Sequence, residues 1–146
     1  MSIFAELGRG IETRSEMATR EVARRIAEAL PPDRAIALSG ELGAGKTAFV
    51  RGLAAAWSAR DPVTSPSYTL WSIYRGERML VHVDAYRLST SGAWDALMIE
   101  DFLETPWCLA VEWPEHVADR LPDDTLWLRF EMTGDETRRI TTTAPT

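Results

Sequence analysis

Residues 35–47 read Ala-Ile-Ala-Leu-Ser-Gly-Glu-Leu-Gly-Ala-Gly-Lys-Thr, and no other stretch restricts the chain as tightly. Gly40, Gly45, Lys46 and Thr47 stand at the spacing Gly-x-x-x-x-Gly-Lys-[Ser/Thr], after a short apolar run and before a helical pattern. That combination describes a strand, a phosphate-binding loop and a helix. Glycines at 40, 43 and 45 let the backbone curl until successive N–H groups face anionic oxygens, and the helix that follows adds its positive end. Glu41, Leu42, Gly43, Ala44 and Gly45 then form the cradle of a nucleoside triphosphate. Lys46 reaches its β- and γ-phosphates, and Thr47 offers its hydroxyl to Mg²⁺.

The rest of the chain has the punctuation of an α/β domain. Thr13 with Glu16 resembles a capping box, so a helix is expected over about 14–30. Its apolar stripe is Met17, Val22, Ile26 and Leu30, and Pro31-Pro32 ends it. A second helix follows Lys46, with Phe49, Val50, Leu53 and Ala54 on one face, and fades near Ala59. Residues 68–74 and 79–83 alternate as strands around the turn 75–78, which predicts an antiparallel hairpin at the edge of a mixed sheet. Helical spacing recurs over 91–104 through Trp94, Leu97, Met98 and Phe102. The apolar run 107–111 reads as a buried strand ending at Glu112, and residues 125–131 and 139 onward read as two terminal strands joined by a turn. The fold class expected is therefore a single P-loop NTPase-like α/β domain, a mixed, mostly parallel sheet flanked by helices, spanning 1–146.

Asp84 and Glu112 each stand at the carboxyl end of an expected strand, where α/β sheets place ligand-binding groups. Either acid suits Mg²⁺ or the orientation of a water, and spacing does not decide between them. Residues 63–68, with Thr64 and Ser65, read equally as a nucleotide-sensing segment or a surface loop. Arg87 reads as a transition-state donor or as the partner of a nearby acid.

At 146 residues with a net charge of −6, one domain is expected, and a surface that grips nucleic acid by itself is not. One cysteine, no zinc spacing, no targeting pattern and no apolar run of membrane-spanning length point to a cytoplasmic protein. A phosphate site with neither an arginine-rich lid nor an evident acceptor pocket favours water as the phosphoryl acceptor. A small-molecule kinase, or a nucleotide-gated binding module with incidental hydrolysis, uses the same loop.

Four motifs together narrow this further: residues 40–47, then Thr-Ser-Pro-Ser-Tyr at 64–68, His-Val-Asp-Ala-Tyr-Arg-Leu at 82–88, and Val-Glu-Trp-Pro at 111–114. Their order and spacing resemble the TsaE (YjeE) family, small bacterial ATPases that serve threonylcarbamoyladenosine formation in tRNA. The resemblance implies weak intrinsic ATP hydrolysis and TsaD and TsaB proteins as partners, with tRNA met only through their complex. It matches Lys46 to the phosphate-binding lysine and Thr47 to the Mg²⁺-ligating hydroxyl. Glu112 matches the acid that helps hold Mg²⁺, Asp84 the acid needed for hydrolysis, and 64–68 the switch-like segment, and Trp113 falls beside the nucleotide. This chain has Glu41 and Ser67 where many relatives have Asp and Thr, and it lacks the glycine that relatives often carry near Met98.

Overall fold

The computed structural model describes residues 2–41, 43–60, 70–88 and 90–142. In chain order the first half contains α1 (Ile3–Arg9), β1 (Ile11–Thr13), α2 (Glu16–Ala29), β2 (Arg34–Gly40) and α3 (Lys46–Ala56). The second half contains β3 (Trp71–Arg75), β4 (Met79–Asp84), α4 (Ser91–Leu97), β5 (Trp107–Glu112), β6 (Leu126–Met132) and β7 (Arg138–Thr142). Short 3-10 segments, Ile99–Asp101 and Pro114–Arg120, flank β5.

All seven strands join one sheet in the order β1-β7-β6-β2-β5-β4-β3. Strands β6, β2, β5 and β4 run parallel, while β3 and β7 pair antiparallel at the two sides. The sheet is thus mixed and mostly parallel, flanked by helices, and the antiparallel hairpin expected around residues 75–78 is present. Apolar runs become central strands because a parallel strand is buried on both faces. Residues 35–38 of β2 are all inaccessible, yet they divide by alternation: Ile36 and Leu38 face one core, Ala35 and Ala37 the other. The first core is filled by α1, α2 and α3, through Leu7, Ile26, Phe49 and Leu53. The second lies under α4 and the 3-10 segments, where Trp94 supplies the volume that the two β2 alanines leave.

Chain connectivity places the phosphate loop. From β2 the chain passes through α3 toward β3 and β4 on one side, whereas β6 lies on the other side of β2. The loop after β2 therefore opens at the carboxyl ends of the parallel strands, where connections diverge and leave a crevice.

Local expectations and tertiary outcome part company in three places. Thr13 is not an N-cap: it pairs with Arg138 in β1 and buries its hydroxyl 2.8 Å from that of Thr19. Ser15 caps α2 instead, accepting from the Ala18 N–H at 3.0 Å. Met17 points outward, 79% exposed and outside the apolar stripe, because it stands about two and a half turns before Ile26 and so on the opposite face of the helix. α1 and β1, too short for a periodic signal, were not anticipated. The third difference is the helix expected over 91–104, which stops at Leu97 because Met98 adopts a left-handed conformation, φ +52° and ψ +39°. The kink sends Ile99 into the core and leaves Met98 and Phe102 at the surface.

Met98 thus occupies the conformation for which glycine is the favoured residue at a helix end, and its exposed side chain contributes little packing. Met98→Gly is expected to stabilise the protein by about 1 kcal/mol, raising Tm by about 2–4 °C in thermal unfolding. An unchanged or lowered Tm contradicts the strain assigned to this position.

Candidate functional site

Side-chain alternation builds the site. On β5, Cys108 and Ala110 face the core beneath α3, so Glu112 follows them onto that face; on β4, Leu80 leads likewise to His82 and Asp84. Register then sets Asp84 opposite Glu112, and Glu112 opposite Leu38 two residues before Gly40. Both acids therefore stand at the carboxyl ends of the parallel strands, but only Glu112, on the strand beside β2, lines the cavity at the phosphate loop, and Asp84 lies one strand farther out.

The loop has the backbone its glycines predict. Gly40, Gly43 and Gly45 have φ of +135°, +82° and +100°. A Cβ on Gly40 would lie 2.2 Å from the Phe130 carbonyl oxygen, so only glycine lets the loop leave β2 beside β6. Helix caps show what the loop leaves free. Ser2, Ser15 and Thr90 each cap their helices with a hydroxyl, whereas α3 begins at Gly45 with no side-chain cap. The first turn of α3 is left able to donate its N–H groups to an anion.

Lys46 is only 5% exposed. Its ammonium donates to the Gly40 carbonyl at 2.7 Å, lies 3.9 Å from Glu112 Oε1, and sits 5.0 Å from the centroid of the Trp113 ring. Burial works against the Glu112 carboxylate, but the His82 hydrogen bond and the Lys46 charge outweigh it and hold its pKa below the usual glutamate value. Trp113 reaches this position from a left-handed backbone, φ +56°, and packs against the ring of Tyr86 at a tilt of 58°, centroids 5.1 Å apart. Asp84 accepts the Tyr86 N–H at 3.0 Å through Oδ1.

Beside the loop lies a cavity of about 570 Å³, large enough for a nucleotide-sized ligand. Gly43, Gly45, Lys46, Thr47 and Glu112 line its floor. The walls come from the start of α2 with Glu16 and Thr19, from Arg51 on α3, and from the β6–β7 turn with Asp135 and Arg138. Glu16 and Arg51 pair at 2.8 Å across its rim. These wall residues escaped the sequence reading. Arg51 alone carried a signal, since it stands one helical turn beyond Thr47, whereas Glu16 and Arg138 are remote in sequence and had none.

The other expected residues fall as follows. Glu41 is exposed at the start of the loop, and the buried Ala44 gives its N–H to the Glu41 carbonyl at 3.2 Å. Leu42, Thr64 and Ser65, with the whole segment 61–69, lie outside the described residues. Arg87 is exposed and pairs with no acid among the described residues.

A hydroxyl and a carboxylate are hard oxygen donors. Thr47 and Glu112 therefore suit Mg²⁺, which takes few protein ligands and completes its shell with phosphate oxygens and water. Among the described residues no group of three or more His, Cys, Asp or Glu is placed to hold a metal by itself. Among the same residues, no helix is long and apolar enough to cross a membrane.

The chain is similar to known proteins over most of its length. The family model described as "Threonylcarbamoyl adenosine biosynthesis protein TsaE" matches residues 13–140. The tRNA threonylcarbamoyladenosine biosynthesis protein TsaE of Streptomyces coelicolor is 39% identical over 133 residues, covering 85% of this chain and 88% of its own. Its counterpart in Treponema pallidum is 32% identical over 129 residues, covering 88% and 96%. The crystal structure of Bacillus subtilis YdiB aligns with a TM-score of 0.70 at 30% identity, covering 94% of this chain and 85% of that one.

Proposed function

We propose, from the premise that the chain belongs to the TsaE family, that it is the Mg²⁺-dependent ATPase component of tRNA N6-threonylcarbamoyladenosine biosynthesis. In this role it couples ATP binding and hydrolysis to a complex of TsaD and TsaB proteins in the cytoplasm. The observation that carries the reading is the convergence of Lys46, Thr47 and Glu112 on one cavity at the open first turn of α3.

The mechanism follows from what each group can do. The N–H groups of residues 43–47 hold the phosphates, and the Lys46 ammonium leaves the Gly40 carbonyl for the β- and γ-oxygens, where it offsets the charge that grows during transfer. Thr47 and Glu112 would hold Mg²⁺, which would supply further charge neutralisation. Asp84, on the same face of the sheet as Glu112, orients the attacking water. The nucleoside lies in the cavity against Thr19, Arg51 and Arg138. Trp113 covers Lys46 and limits access of bulk water. The net charge of −6 suits a protein that leaves tRNA to its partners.

The test is phosphate release from ATP by the purified protein, alone and with TsaD and TsaB, in Mg²⁺ and in EDTA. Turnover is expected to be slow alone, faster with both partners and absent in EDTA. Turnover that ignores the partners but jumps on adding a small metabolite overturns the reading in favour of a kinase. Tight, steeply salt-dependent binding of tRNA by this chain alone overturns the division of labour with its partners.

A further inference from the structure

His82 is fully inaccessible, lies two residues before Asp84 on β4, and is used by none of the steps above. Its Nε2 lies 2.7 Å from Glu112 Oε2, while Lys46 faces the other oxygen, Oε1, at 3.9 Å. The two carboxylate oxygens therefore have separate partners. The remaining ring atom, Nδ1, is the one buried side-chain polar atom among the described residues without a hydrogen bond. A carboxylate accepts, so Nε2 carries a proton and donates it to Glu112. Packing alone favours an apolar residue here, because the core around Leu80 and Ala110 needs no polar atom.

We propose that His82 is a positioning residue for the divalent cation: its Nε2–H anchors Glu112 Oε2, stops the carboxylate from turning both oxygens onto Lys46, and keeps Oε1 directed into the nucleotide cavity. The proposal rests on the reading that Glu112 holds Mg²⁺. Its physical basis is that a ligand carboxylate binds a cation tightly only when its orientation is already fixed, and a buried donor fixes it at no cost in the bound state. Without the donor, Glu112 is free to turn both oxygens onto Lys46, which hides the metal ligand.

The test is a titration of Mn²⁺, followed by electron paramagnetic resonance, into protein saturated with a non-hydrolysable ATP analogue. The variants are His82→Leu, His82→Gln, His82→Asn and Glu112→Gln. His82→Leu keeps apolar bulk without a donor and is expected to weaken Mn²⁺ binding about tenfold or more, with analogue binding in EDTA unchanged. His82→Gln places an amide N–H near the position of Nε2 and is expected to restore most of the affinity. His82→Asn places its amide near Nδ1, out of reach of Glu112, and is expected to behave as the leucine variant does. Should His82→Leu fail to fold, the contrast between Gln and Asn decides. A folded His82→Leu with wild-type Mn²⁺ affinity, or Gln and Asn variants that are alike, overturns the proposal. Glu112→Gln separates the levels: if it weakens Mn²⁺ binding while the His82 variants do not, the positioning role alone falls; if it leaves Mn²⁺ binding intact, the metal role of Glu112 falls and takes the proposal with it.

Discussion

Lys46→Ala is expected to lower Mg²⁺-dependent ATP hydrolysis by about 10²–10³-fold, the loss typical when one preorganised charge-stabilising donor is removed from a closed site. The ammonium is 5% exposed and tied to the Gly40 carbonyl, so it acts on phosphate oxygens in surroundings that screen it poorly. Arg14, Arg51 and Arg138 also line the cavity, but among the described residues Lys46 alone of the four bonds to the Gly40 carbonyl, and Arg14 and Arg51 are paired with Glu12 and Glu16. Loss of fold is a separate matter, because Glu112 keeps its His82 bond and the loop keeps its glycine-defined backbone. Phosphate release at saturating ATP, with the thermal unfolding midpoint of the same preparation, distinguishes the two. Hydrolysis within threefold of wild type removes Lys46 from the chemistry.

Asp84→Asn is expected to lower hydrolysis by about 10²–10⁴-fold, the range for a group that handles the proton of an attacking nucleophile. Asparagine retains Oδ1, the acceptor of the Tyr86 N–H, so the turn after β4 survives the exchange. What disappears is the negative charge. Binding of a fluorescent ATP analogue should therefore remain within a few-fold of wild type while turnover falls. The same variant divides two roles for the nucleotide. If the modification of tRNA by the TsaD and TsaB complex also stops, hydrolysis is the step that matters. If modification persists, ATP acts as a gate on binding and hydrolysis is incidental.

Much of this architecture could be read from single residues. The loop at 40–47 needs its glycines whatever surrounds it, and three apolar runs of strand length can only be buried strands when helical patterns separate them. The hairpin of β3 and β4 follows from two alternating runs and a short turn. Errors arose where a distant element claimed a residue. Thr13 is a sound N-cap in isolation, but pairing of β1 with β7 and the hydroxyl of Thr19 took it. Met98 belongs to a helical stripe by spacing, but Ile99 fits the core better and the helix breaks to deliver it. Packing energy summed over a core residue exceeds the preference of one turn of helix.

The same distinction runs through the site. The candidate phosphate site is a local feature: loop, lysine and hydroxyl are contiguous, and the helix that presents them begins within the motif. Even the pairing of Asp84 with Glu112 was half legible, because both end apolar runs and strand ends meet at one edge of a parallel sheet. The attachment of Glu112 to His82, the position of Trp113 over Lys46 and the walls from Glu16, Thr19 and Arg138 were settled only in three dimensions. The reason is strand register. A side chain's neighbour across a sheet depends on which residue of another strand stands opposite, and a shift of one residue would turn Glu112 away from Lys46 into the other core. Local sequence carries the chemistry of each group, while long-range pairing determines which groups meet.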